Sequence, residues 1–111
     1  MASELAARHC EPCRGGIPAL DAAGIAELTP QLDPAWTVVD GHHLARTWRL
    51  PDFASALALA NRVGELAEAE GHHPDLGIGW GRLQVDLWTH KVNGLTLSDF
   101  VLAAKIDELA R

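Results

Sequence analysis

The sequence predicts an α+β domain: a four-stranded antiparallel sheet with three helices on one face, in the order α-β-β-α-β-β-α. Three observations predict it. Two stretches pair strand-like segments across turn signals, and the clearest, Leu83-Gln84-Val85-Asp86-Leu87-Trp88, alternates apolar and polar residues with a period of two. Three other stretches read as helices, from apolar residues spaced three and four apart or from a capping signal. Each hairpin is followed by a helix, so the hairpins can merge into one sheet with the helices against one side.

The 111 residues fit one domain, expected over residues 20–111 behind an irregular leader at 1–19 in which Gly15, Gly16 and Pro18 break any element. A short helix is expected over 21–32, with Ile25, Leu28 and Leu32 on one stripe and Pro34 closing it. Trp36-Thr37-Val38-Val39 is strand-like, Asp40-Gly41 is a hairpin turn signal, and 44–50 is the returning strand, with Arg46 interrupting a face made by Leu44, Trp48 and Leu50. Asp52 is a suitable N-cap for a helix carrying Phe53, Leu57, Ala60 and Val63, which Gly71 ends and Pro74 prevents from continuing. The second hairpin spans 76–80 and 83–88. Thr96 with Asp99 three residues on resembles a capping box that opens the final helix.

Charge and composition exclude several functions. The formal net charge is −6 and the Lys and Arg residues are scattered, so no patch is concentrated enough to hold a phosphate backbone. No stretch approaches the ~18 apolar residues of a membrane span, and 1–14 lacks the pattern of a secretory signal. A cytoplasmic protein acting on an uncharged or mildly polar small molecule, or on another protein, is expected. A sheet with one open face and an available edge commonly pairs with a second copy.

Two places could carry chemistry. Cys10-Glu11-Pro12-Cys13 has the spacing of a redox or zinc-ligating pair, but no second Cys pair completes a zinc site, and the motif lies in the leader rather than between a strand and a helix. The stronger candidate is Glu68-Ala69-Glu70-Gly71-His72-His73-Pro74. Glu68 and His72, four apart, would share a side if the turn stays helical, and the carboxylate would then fix the imidazole tautomer. His90, after the last strand, could approach this corner. Three imidazoles and a carboxylate suit proton transfer near neutral pH. A metal site is the weaker option, since two consecutive histidines address one ion only on a strained loop. His42-His43, beside a turn, read as solvated or hydrogen-bonded side chains.

The run from Glu68 to Pro74, followed by Trp80, then Trp88-Thr89-His90 and Gly94-Leu95-Thr96, resembles the signature of the pterin-4a-carbinolamine dehydratases. The resemblance extends from about Trp36 to the C-terminus. It implies an α+β fold whose chains associate through their sheets into dimers, and often tetramers. It also implies a hydro-lyase that removes water from 4a-hydroxytetrahydrobiopterin, or a related pterin, to give a quinonoid dihydropterin, with no metal or organic cofactor. His72, His73 and His90 would carry the proton transfers as a set, with Glu68 orienting them. Gly71, His72, His73, Trp88, Thr89, His90 and Lys91 would hold the pterin. Departures are Leu76 where an aromatic is frequent, Gly71 where a polar residue is common, and Gly81-Arg82 in place of Asn-Lys. Relatives of this fold also serve as a transcription-factor dimerisation partner or as Rubisco assembly factors. The alternative function is therefore a non-catalytic interaction module, although such proteins can dispense with the histidines that this chain retains.

Overall fold

Two turns and one strand pairing generate the sheet. The structure is a computed structural model describing residues 4–8, 10 and 18–110. Strand β1 (Thr37–Val39) turns into β2 (His43–Arg49) through Asp40 and Gly41, with φ of 54° and 63°. Positive φ at both central residues matches the right-handed strand twist, which is why Asp-Gly marks the hairpin. The second hairpin joins β3 (Asp75–Gly79) to β4 (Arg82–Leu87). The inner strands β2 and β4 pair antiparallel from Leu44↔Leu87 to Arg49↔Arg82, giving the order β1-β2-β4-β3.

Residues opposed across an antiparallel pair share a face. The register therefore puts Leu44, Trp48, Leu76, Leu83, Val85 and Leu87 on one side, where they join the core. His43, Ala45, Gln84 and Asp86 fall on the other side, and none of them is fully buried. Helices α2 (Phe53–Glu70) and α3 (Leu97–Leu109) supply the facing half of the core through Leu59, Val63, Phe100, Leu102 and Ile106. The three-helix, four-strand α+β arrangement is the one the sequence predicts.

Two local expectations are corrected. The first helix, expected over 21–32, is α1 (Ala22–Leu28) followed by a 3-10 turn at Thr29–Gln31. Pro30 cannot continue an α-helix, because its ring meets the carbonyl four residues back and it has no N–H. Asp21 caps α1 by accepting from Gly24 N–H at 2.9 Å. The leader, expected to be irregular, contains a 3-10 turn at Leu5–Ala7, whose Leu5 is 2% exposed within the core cluster. Burying that apolar side chain against α3 is what orders the turn.

Arg46, the residue that interrupts the apolar face of β2, is neutralised within the core. Its Nη1 lies 2.7 Å from Asp107 Oδ1 and 3.5 Å from Asp33 Oδ1, and its guanidinium stacks 4.4 Å from the Trp48 ring centroid. Trp36 Nε1–H donates to the same Asp107 Oδ1 at 2.7 Å. Burial pushes the Asp107 carboxyl above the usual carboxylate range, outweighing the opposite pull of the Trp36 and Asp33 N–H donors and of Arg46. Removing the acceptor strands two buried donors. Asp107→Ala should lower unfolding free energy by about 3 kcal/mol in urea titrations followed by circular dichroism. A loss under about 1 kcal/mol would mean that the pair behaves like a surface bridge.

Candidate active site

The site begins with the way α2 ends. Asp52 caps the helix start by accepting from Ser55 N–H at 2.7 Å, and after eighteen helical residues Gly71 ends it in the left-handed region at φ 67°. His72 N–H then returns to Ala67 O at 3.2 Å. This is the Schellman arrangement, and glycine suits it because a Cβ disfavours that φ. The reversal throws His72 and His73 in different directions.

His72 turns inward. Its Nε2 lies 2.6 Å from Asp99 Oδ1, and Asp99 is fully buried. Asp99 is the third residue of α3, where its Oδ2 accepts from Thr96 N–H at 2.9 Å and from Thr89 Oγ1 at 2.8 Å. Since the Thr89 hydroxyl has one proton and gives it to Asp99, the Thr96 hydroxyl must donate to Thr89 Oγ1, 2.8 Å away. The helix N-terminus favours the negative charge. A carboxylate offers only lone pairs, so His72 donates from Nε2 and keeps Nδ1 as the acceptor.

His73 turns outward. Its Nε2 is hydrogen-bonded to Glu68, but both side chains are largely exposed, so solvent screens the contact. This corrects the expected Glu68–His72 pair. The left-handed Gly71 breaks the helical phase, so Glu68 meets the histidine five residues on instead of the one four on.

His90 is held by a small loop. Thr89 N–H donates to Gly94 O at 2.8 Å, closing a bridge around a 3-10 turn at His90–Val92. The His90 and Trp88 rings lie with centroids 4.5 Å apart. Residues 71–73 and 88–91, the seven that the sequence reading assigns to the pterin, line one open pocket of about 230 Å³. Glu68 is absent from that lining and approaches it through His73.

Comparison with known proteins follows the same outline. The family model for pterin 4 alpha carbinolamine dehydratase matches residues 18–109. A relative from Rubrobacter xylanophilus, bearing the name pterin-4-alpha-carbinolamine dehydratase, is 54% identical over 96% of this chain and 99% of its own. One of the same name from Methylococcus capsulatus is 52% identical over 98% of this chain and 96% of its own. The chain belongs to the pterin carbinolamine dehydratase family. A crystal structure titled transcriptional coactivator/pterin dehydratase, from Brucella melitensis, superposes with a TM-score of 0.77 at 31% identity, covering 84% of this chain and 99% of that one. Membership makes the protein a hydro-lyase by class. No helix among the described residues is long and apolar enough to cross a membrane.

Sequence reasoning missed two features around this candidate site. Asp99 is legible as a helix cap, but its bond to His72 spans 27 residues and leaves no local signal. His42 and His43, read as solvated or hydrogen-bonded, are half-buried around Trp88, with ring centroids 5.4 and 5.9 Å from it, and His42 Nε2 sits 2.9 Å from Asn93 Oδ1; their place beside Trp88 is what the sequence did not show. Only the merging of the two hairpins brings them there.

Of the cysteine pair, Cys13 lies outside the described residues. Burial foremost, with Glu70 beside it, pushes the Cys10 thiol up to about 12, so at neutral pH it is a thiol rather than a nucleophilic thiolate. Iodoacetamide at pH 8, followed by peptide mapping, should leave Cys10 unmodified in the folded protein, and rapid labelling would contradict this assignment. The His72 tautomer is equally accessible to measurement. Long-range proton–nitrogen correlation spectra should show His72 protonated at Nε2. Asp99→Asn should mix the tautomers or reverse them, because an amide can donate as well as accept.

Proposed function

We propose that the protein dehydrates 4a-hydroxytetrahydrobiopterin, or a related 4a-hydroxypterin, to the quinonoid dihydropterin during pterin cofactor recycling. The observation that carries this reading is the convergence of His72, His73 and His90 on one pocket, with Asp99 and Glu68 each on an imidazole Nε2. The reaction breaks the C4a–O bond and removes the N5 proton. The N5 lone pair forms the C4a=N5 double bond as the hydroxyl departs as water. One group must protonate the leaving oxygen and another must accept the N5 proton, and imidazoles serve both roles near neutral pH. His72, oriented by Asp99, presents Nδ1 as an acceptor. His73 and His90, both exposed at the rim, exchange protons with solvent. Glu68 orients His73.

Trp88 offers a flat wall for the bicyclic ring, while the 71–73 and 89–91 backbone and Lys91 offer polar contacts to the pterin edge. Chains would associate as dimers or tetramers through the open sheet, in the cytoplasm. A second reading, a protein-binding role, is favoured by the coactivator title of the Brucella melitensis structure and by the exposed Phe53, Leu57, Ile78 and Trp80.

The test is a direct dehydration assay on a synthetic 4a-hydroxytetrahydropterin. His73→Ala and His90→Ala should each slow turnover by roughly 10²-fold. Wild-type rates in both variants, or no turnover by the wild type alongside a stoichiometric protein partner, would favour the second reading.

A further inference from the structure

The N-terminal segment reaches the support of the His72–Asp99 pair. Cys10 N–H donates to Glu70 Oε1 at 2.9 Å, and Cys10 Sγ lies 3.6 Å from Ser98 O, to which the thiol donates. Glu70 stands two residues before His72, and Ser98 immediately precedes Asp99. A single residue of the segment therefore ties together the two stretches of chain whose side chains meet at 2.6 Å.

The tie is anchored at both ends. Glu70 Oε2 faces Lys105 Nζ at 3.8 Å, and the same ammonium donates to Ala6 O at 2.9 Å. The Glu70 and Lys105 side chains are only 11% and 16% exposed, so solvent screens the pair far less than it screens Glu68–His73. Leu5 and Ala6 are buried in the core cluster beside α3, which fixes the segment against the helix that carries Asp99 and Lys105.

The position of this tie gives it leverage. Between Glu70 and His72 there is only Gly71, the residue with the greatest backbone freedom. The direction in which His72 leaves the helix thus depends on how firmly Glu70 is held. We propose that the N-terminal segment is a clamp on the active site, in which Glu70 is a positioning residue through which Cys10 and Lys105 hold His72 in register with Asp99. The clamp rests on the proposed dehydratase reading. It adds a functional element outside the family match, which begins at residue 18.

The test compares Glu70→Ala and Glu70→Gln in the full chain, measuring kcat and KM for a 4a-hydroxytetrahydropterin and the His72 imidazole resonances. Glu70→Ala should lower kcat about tenfold, with KM changed less than about twofold, and should broaden or displace the His72 Nε2–H signal. Glu70→Gln keeps an oxygen for Cys10 N–H and should restore kcat to within about threefold of wild type. Wild-type kcat and an unchanged His72 signal in folded Glu70→Ala would overturn the proposal, even if thermal stability fell. Should that variant not fold, Cys10→Pro removes the same N–H donor and is judged by the same two readouts. If the wild type turns over no pterin, the dehydratase reading fails. The His72 signal in Glu70→Ala then still decides the clamp.

Discussion

A carboxylate without solvent must find its hydrogen bonds within the protein, and Asp99 finds them on three separate stretches of chain. Its Oδ2 takes the Thr96 N–H and the Thr89 hydroxyl, and its Oδ1 takes His72. The first closes the start of α3. The second fixes the exit of β4, one residue before His90. The third fixes the histidine that follows α2. The helix cap, the sheet end and the histidine corner thus share one acceptor group, and the relative placement of His72 and His90 depends on it.

That dependence explains why a small fold can hold a site without a deep cleft. The sheet gives a rigid base, since β2 and β4 pair along six residue positions at its centre. The candidate side chains sit just beyond the ends of elements, where backbone direction is set by caps and short bridges. The Gly71 reversal, the Thr89–Gly94 bridge and the Thr96–Asp99 cap are each local. Together they bring His72, His73 and His90 to one pocket, with Asp99 buried behind His72.

Much of the fold is legible in the sequence, because its signals are local. Asp40-Gly41 specifies a turn, Asp52 and Gly71 delimit α2, and alternation over 83–88 fixes which side of β4 enters the core. The seven pocket-lining residues were also nameable, through the family resemblance carried by the His-His-Pro and Trp-Thr-His motifs. What was not legible depends on long-range pairing. The Glu68–His72 expectation assumed a helical phase that the left-handed Gly71 destroys. The Arg46–Asp107 pair joins the residue that interrupts the β2 face to one 61 positions away, a separation that leaves no local signal. The leader gave no periodic signal, yet a single buried Leu5 and the Cys10–Glu70 bond dock it.

The central claim is that Asp99 contributes to dehydration through His72. A double-mutant cycle on kcat/KM for a 4a-hydroxytetrahydropterin, using Asp99→Asn, His72→Ala and the combined variant, tests it most directly. If the two act as a unit, the combined variant is no slower than His72→Ala alone. If their separate losses multiply, Asp99 acts by another route and the account is contradicted.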